Sequence, residues 1–304
     1  MLRTFELDRR AVRRAVADAL AEDVGPGDVT TLATIPAGAT CEALLRTRDP
    51  GVVAGLPVAI AAFRRLDPAV EIVEYRHDGD AVSPGDRLLS VVGPARAVLT
   101  AERVALNFAQ RLSGVATITA RFVAAVAGTK ATIVDTRKTT PGLRYLEKYA
   151  VRVGGGHNHR FGLYDGVLIK DNHIAATPDG IGGAVLAARR AVPHSLRVEV
   201  ETDSLDQVRE ALEAGADAIL LDNMSPETMR QAVEIVGGRA ITEASGGITL
   251  TTVRAAAESG VDLISVGALT HSAPSLDLGL DFTLHGAGVR ISTYPDERAP
   301  SPSS

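Results

Sequence analysis

The sequence has very little cysteine, very little lysine and no long apolar run, and each shortage narrows what the chain can be. Its one cysteine, Cys41, excludes an intrachain disulfide and any multi-cysteine zinc or iron–sulfur site. The longest nearly apolar stretch, Gly51 to Phe63, is too short to span a bilayer and contains Pro57. The first twenty residues carry Arg3, Arg9, Arg10, Arg13 and Arg14 with acids between them and no apolar core, which argues against a secretory signal. The chain therefore reads as cytoplasmic, with no membrane role. At 304 residues, 45% hydrophobic and 23% charged, it can form one barrel or two domains, and wholesale disorder is ruled out.

Lysine is the more telling shortage. Against 28 Arg there are four Lys, and all four (Lys130, Lys138, Lys148 and Lys170) fall within 41 residues. That window carries a balance of +5 in a chain of net charge −5. A basic cluster in an acidic protein suggests a small polyanionic ligand rather than nucleic acid, which needs a broad positive face. The plainer alternative is a basic surface helix.

Residues 8–22 read as a helix capped by Asp8, with an apolar stripe of Val12, Val16, Ala19 and Leu20, broken by Gly25-Pro26-Gly27. From 39 to 98, short strand-like runs separated by turn signals predict an α+β unit with a mostly antiparallel sheet. Residues 98–127 are helix-periodic, and Gly114 is expected to divide them into two helices. From about 130 the rhythm becomes β/α alternation. ATIVD, GVLIK, LRVEVE, AILLD, AITEA and LISVG are short apolar runs, and amphipathic segments 204–214, 226–236 and 250–259 lie between the later ones. That predicts a parallel sheet. No dinucleotide fingerprint and no GxxxxGK[ST] loop is present. A closed or nearly closed barrel fits better than a doubly wound sheet, because each run ends in a polar residue.

Those ends are Asp135-Thr136-Arg137-Lys138, Lys170-Asp171-Asn172, Glu199 or Glu201, Asp222-Asn223, Glu243 and Gly267. In β/α barrels the C-terminal strand ends converge on one mouth, where the chemistry sits. A single polar strand end means little; six in succession, with both charge signs, point to a shared site. His157 and His159 have the look of a metal pair, but the surrounding cations and the expected lack of a nearby carboxylate pair argue against zinc. Arg144 and Lys148 lie four apart on an expected helix, and their periodicity is equally consistent with a solvated face. Gly154-Gly155-Gly156 would let backbone pass close to a ligand or form a flexible turn.

The block DTRKTTPGLRYLEKYAVRVGGGHNHRFGLYDGVLIKDNH (135–173) resembles the quinolinate phosphoribosyltransferase family. So do EDVGPGDVTT, AERVALNFAQRLSGVAT, VEVET, ILLDN, EASGGI, ISVGALTHS and LDLGLDF, nearly end to end. The resemblance implies an N-terminal α+β sandwich domain (1–114) and a C-terminal incomplete β/α barrel (115–282). A tail (283–304) follows that looks peculiar to this chain and is expected to be partly disordered. It implies formation of nicotinate mononucleotide, pyrophosphate and carbon dioxide from quinolinate and phosphoribosyl pyrophosphate with Mg2+, in a homodimer or higher oligomer.

Quinolinate is a planar dicarboxylate, suited to guanidinium forks and a lysine. The resemblance puts Arg137, Lys138, His159 and Arg160 in that role, with Thr136 beside them and Arg103 reaching in from the neighbouring subunit. Without it, Arg103 reads as an ordinary helix-surface ion pair. Glu201 and Asp222 match residues that face the ribose and, through the diphosphate, its Mg2+, while Lys138 and Lys170 offset pyrophosphate charge. Ser245, Gly246, Gly247, Val266, Gly267 and Ala268 match the 5-phosphate turns; otherwise they are simple tight turns. The acidic-pair-plus-TTG loop of the commoner phosphoribosyltransferases is absent. Two other functions stay open: a Schiff-base barrel lyase using Lys170, and a molybdenum-transport-associated homologue without this activity.

Overall fold

A computed structural model describes residues 7–286 and 289–292. The chain divides into two compact units, residues 1–117 with 274–304 and residues 118–273. The first opens with α1 (Arg9–Val24), where Asp8 accepts from the Arg10 N–H and Val12, Val16 and Leu20 are buried. Then come α2 (Val29–Thr34), β1 (Thr40–Thr47), β2 (Gly51–Val52), α3 (Leu56–Leu66), β3 (Glu71–Glu74), β4 (Ala81–Val82), β5 (Arg87–Pro94) and α4 (Ala95–Ala125). In β1, Cys41, Ala43, Leu45 and Thr47 are buried while Thr40 and Glu42 are exposed. This period-2 alternation is that of a sheet with one face in the core. Burial in that core pushes the Cys41 thiol up to about 12, so it sits there as an inert apolar group.

One sequence expectation is corrected in α4, which runs unbroken through Gly114. A side chain at Gly114 would place its Cβ 1.9 Å from the Pro274 carbonyl oxygen, so this glycine permits a close backbone approach instead of ending a helix.

The second unit continues with β6 (Thr132–Val134), α5 (Arg144–Val153), β7 (Val167–Ile169), α6 (Asp171–Ala175), α7 (Gly180–Ala191), β8 (Val198–Thr202), α8 (Leu205–Glu213), β9 (Ala218–Asp222), α9 (Pro226–Val236), β10 (Ile241–Ser245), α10 (Val253–Glu258), β11 (Leu263–Ser265) and α11 (Ala268–His271). Six strands form one sheet in the order β6-β11-β10-β9-β8-β7, every pairing parallel. In β9 the run Ala218–Leu221 is buried throughout, as a strand covered on both faces requires. β6 and β7 do not pair. His157 instead lies alongside Val134 as an isolated parallel bridge, so the barrel is incomplete between β6 and β7. The caps follow the sequence: Ser204 and Ser225 accept from the N–H groups of Gln207 and Thr228, and Pro226 opens α9.

The chain then returns to the first unit with β12 (Leu278–Gly286) and β13 (Val289–Ser292). β12 pairs antiparallel with β1, Thr47 opposite Leu278 and Cys41 opposite Leu284, giving the sheet order β13-β12-β1-β5-β3. Residues 274–286 and 289–292 thus belong to the first compact unit, within a chain whose barrel domain was expected to run to 282. Within the expected tail, residues 283–286 and 289–292 are strand; its other residues lie outside those described. Among the described residues no helix is long and apolar enough to cross a membrane.

Candidate active site

Because every strand of the second sheet runs the same way, all its C-terminal ends lie at one end, and there a cleft of about 540 Å³ opens. The residues after β6 supply Thr136, Arg137 and Lys138, and the segment before β7 supplies His159 and Arg160. Lys170 follows β7, Glu201 comes from β8 and Asp222 from β9. The turn after β10 supplies Ser245, Gly246 and Gly247. Val266, Gly267 and Ala268 do not line the cleft, although a Cβ at Gly267 would stand 3.1 Å from the Lys138 side chain. Arg103 belongs to the first unit and is exposed on α4. Beside it, burial raises the Glu102 carboxyl above its ordinary value, with Arg103 acting the other way.

The cationic side is braced from behind. Arg144 donates to Thr139 Oγ1 at 3.0 Å and to the Phe161 carbonyl at 3.0 Å, tying together the two loops that carry Arg137 and Arg160. Arg160 donates to the Gly166 carbonyl at 3.0 Å. The Nε of Arg137 is buried with no hydrogen-bond partner. A buried guanidinium donor left unpaired in a cleft wall is a ready contact for an anion.

Beneath these arginines lies a network that sequence reasoning missed. Lys148 is fully buried, with Nζ ion-paired to the equally buried Asp135, donating to the His159 carbonyl at 3.0 Å and standing 5.0 Å from the Phe161 ring centroid. Asp135 also accepts from the His159 N–H at 2.9 Å and from Asn158 Nδ2 at 2.6 Å. The ion pair thus grips the main chain of His159 on both sides. Burial raises the Asp135 carboxyl and lowers the Lys148 ammonium, each against its partner's attraction. Neither Lys148 nor Arg144 forms a solvated face. Lys130 pairs with Asp262 at 2.8 Å before β6, at the opposite end of the sheet. Only Lys138 and Lys170 of the four lysines therefore line the cleft.

The acidic side is paired. Lys170 Nζ is 3.1 Å from Glu201 Oε2, and Asn223 Nδ2 donates to Asp222 Oδ2 at 2.7 Å. Asn223 adopts a left-handed conformation (φ 54°), and its N–H donates to the Ser245 carbonyl at 3.0 Å. Gly246 packs against it: a Cβ there would stand 2.2 Å from Asn223 Oδ1, at a φ of +88°. This glycine is required by contact and by conformation together.

His159 corrects a second expectation. A carboxylate pair does lie nearby: Nε2 is 3.0 Å from Glu199 Oε2 and 3.6 Å from Glu243 Oε2. His157 is not part of this group. The i, i+2 spacing of Glu199 and Glu201 in VEVET puts both on one face of β8, the signal that could have revealed it. Of the triple glycine, Gly156 serves packing: a Cβ would stand 2.8 Å from Thr119 Cγ2 and 2.9 Å from Val151 Cγ1.

The N-terminal domain of quinolinate phosphoribosyl transferase matches residues 28–113, and its C-terminal domain matches residues 115–281. The chain is 47% identical over 273 residues to a probable nicotinate-nucleotide pyrophosphorylase (carboxylating) of Bacillus subtilis, covering 90% of this chain and 94% of that protein. It is 47% identical over 290 residues to the nicotinate-nucleotide pyrophosphorylase (carboxylating) of Mycobacterium leprae, covering 92% and 100%. Among solved structures, NadC from Streptococcus pyogenes superposes with a TM-score of 0.89 at 43% identity, covering 92% of this chain and 99% of that one.

Proposed function

The chain belongs to the quinolinate phosphoribosyltransferase family, and from that premise we infer that it joins quinolinate to phosphoribosyl pyrophosphate. The products are nicotinate mononucleotide, pyrophosphate and carbon dioxide, a step of NAD biosynthesis. The observation that carries this reading is one cleft with cations on one side and paired acids on the other: Arg137, Arg160 and Lys138 against Glu201 and Asp222.

Arg137 and Arg160 hold the dicarboxylate, Arg137 through its buried unpaired Nε. Glu201 and Asp222 face the ribose, where their charge stabilises an oxocarbenium-like carbon as pyrophosphate departs. Lys138 and Lys170 sit where they can take up charge on the leaving group. The Ser245-Gly246-Gly247 turn offers backbone N–H groups to the 5-phosphate. The pyridine nitrogen then attacks; as carbon dioxide leaves, the electron pair of the breaking bond stays on the ring carbon beside the cationic nitrogen, which stabilises it until that carbon takes a proton from water. Positioning supplies much of the rate, and no acid–base residue is required.

Mg2+ fits this donor set. Glu201 and Asp222 offer carboxylate oxygens and no thiol lines the cleft, so a hard cation that keeps its waters would be held there indirectly, through the diphosphate of phosphoribosyl pyrophosphate. When bound it neutralises charge on the diphosphate. Against the Schiff-base alternative, Lys170 is 46% exposed and paired with Glu201. A nucleophilic lysine needs a desolvated pocket instead. A homodimer in which Arg103 completes the partner's site is part of the same proposal.

The test is production of nicotinate mononucleotide dependent on both quinolinate and phosphoribosyl pyrophosphate. Purified protein that neither binds quinolinate nor forms the product would overturn the assignment and return the non-catalytic, molybdenum-associated alternative.

A further inference from the structure

Glu243 is the least explained ionisable group in the second unit. It is 1% exposed at the floor of the cleft, and neither carboxylate oxygen has a hydrogen-bond partner. An ionised carboxylate buried in that state carries a large uncompensated cost. The groups facing it are Glu199 from β8, Ser265 from β11 and His159 from the preceding loop. Burial and the neighbouring Glu199 charge raise its pKa to about 8.

The arrangement could be taken for a metal site, since the donor atoms of His159, Glu199 and Glu243 lie within 4.8 Å of one another. The ring of His159 argues against it. Burial lowers the His159 pKa and the neighbouring Glu199 and Glu243 raise it, with a net upward shift, but the Arg160 backbone N–H donates to His159 Nδ1 at 2.7 Å, so Nδ1 offers its lone pair and the ring is neutral with its proton on Nε2. A metal on Nε2 would need that lone pair free and the proton on Nδ1, where it would face the Arg160 N–H head-on. Metal-bound histidines have the reverse arrangement, donating from their second nitrogen. With Nε2 protonated, His159 donates to Glu199 at 3.0 Å. Glu199 is then the acceptor of the group, and Glu243, interacting directly with it, has a role only as a donor.

We propose that Glu243 is a positioning residue of the quinolinate site. It is a neutral carboxylic acid that donates its proton to Glu199, and Glu199 in turn fixes His159 as the Nε2–H tautomer. The chain of bonds is Glu243 O–H to Glu199, His159 Nε2–H to Glu199, and Arg160 N–H to His159 Nδ1. It sets the plane of the imidazole in the cleft wall and the main chain of Arg160, whose side chain meets the substrate in the reading above, on which this inference rests.

The same chemical change at the two carboxyls should therefore have opposite results. Glu243→Gln keeps a donor toward Glu199, so its KM for quinolinate should stay within about threefold of wild type. Glu199→Gln turns an NH2 group toward two donors and should raise that KM at least tenfold. Glu243→Leu, with no donor, should behave like Glu199→Gln. In all three, the KM for phosphoribosyl pyrophosphate should move less than twofold, a split that general loss of structure would not produce. Equal losses in the two Gln variants would overturn the proposal, as would stoichiometric zinc or manganese binding lost in Glu243→Gln. Nitrogen-15 NMR of the wild type tests it independently of turnover. The His159 signals should be those of an Nε2–H ring, and an Nδ1–H ring would overturn the relay in an active or an inactive protein alike.

Discussion

Replacing Lys148 with methionine isolates the buried brace behind the cleft, because methionine keeps the stem and removes only the ammonium. Asp135 is then left as a fully buried carboxylate. Breaking a buried pair in this way costs about 3–5 kcal/mol. Asp135 keeps its hydrogen bonds from Asn158 and the His159 N–H, which puts the loss near the lower bound, about 3 kcal/mol. For a unit the size of residues 118–273 this is a fall in Tm of roughly 6–12 °C. Calorimetry at pH 7, following the transition of that unit, reads it directly. If the cost is the stranded charge, Asp135→Asn combined with Lys148→Met should recover most of it, since Asn can still accept from the His159 N–H; a double-mutant cycle gives the coupling. The sign with pH is fixed as well. Without its partner, Asp135 has a folded pKa raised still further above its unfolded value. The variant's deficit should therefore narrow as pH falls from 7 toward 5 and the carboxyl takes up its proton. A Tm loss under about 2 °C, or a double variant no better than the single, would refute the claim that this pair is sealed from water.

Arg137→Ala and Arg160→Ala should each weaken quinolinate binding by roughly 10- to 150-fold, the equivalent of about 1.5–3 kcal/mol for a charge-assisted contact, while sparing phosphoribosyl pyrophosphate; calorimetric titration checks both. Gly246→Ala should strain the turn by about 1–3 kcal/mol and push against Asn223, raising the KM for phosphoribosyl pyrophosphate more than that for quinolinate. Glu243 is held as an acid up to about pH 8 against an ordinary 4.5, so its stabilising contribution is complete below pH 4.5 and is lost as pH rises toward 8. The stability of Glu243→Gln relative to wild type should therefore improve over that range, by at most about 1.4 kcal/mol per pH unit; denaturant melts at several pH values read the trend. If Arg103 completes the partner's site, inactive Arg103→Ala and Arg137→Ala chains, mixed and re-paired, should return roughly a quarter of wild-type activity, and confirmed exchange without recovery would place Arg103 in its own subunit's chemistry.

The local pattern of the sequence carried the elements well, because each rests on near neighbours. The 3.6-residue stripe of α1, the two-residue alternation of β1 and the apolar runs of the parallel strands are visible in a window of a few residues. What was not legible depends on partners far along the chain. Gly114 looks like a break until Pro274 is seen against it. Residues 278–282 look like a continuation of the barrel until β12 is paired with β1. Lys148 and Arg144 carry the spacing of a solvated face, and only the fold brings Asp135 and Phe161 over one of them. The cleft was foreshadowed because parallel strands bring their C-terminal ends together, whatever the loops contain. The His159–Glu199–Glu243 group was not, because it joins residues from three segments whose depth in the sheet no local pattern encodes.

The lysines show how the sequence and the site are related. In a chain that otherwise uses arginine, some of the lysines sit where a compact ammonium is suited and a planar fork is not. At position 148 the ammonium is enclosed by the Asp135 carboxylate, the His159 carbonyl and the face of Phe161. A guanidinium would bring more volume into a fully buried space and more donors than it has acceptors. At position 170 a single carboxylate oxygen of Glu201 is the partner, and the ammonium is left half in solvent. Lys138 is exposed at the cleft, its main chain pinned by Thr270 Oγ1 on its carbonyl at 2.7 Å and by its own N–H donating to Thr136 Oγ1 at 3.0 Å. Lys130, paired with Asp262 in the open, meets no such demand. The clustering of lysine therefore marks the region of the cleft for two separate physical reasons. Two lysines supply mobile point charge to the cleft, and one stabilises the backbone that presents His159 and Arg160.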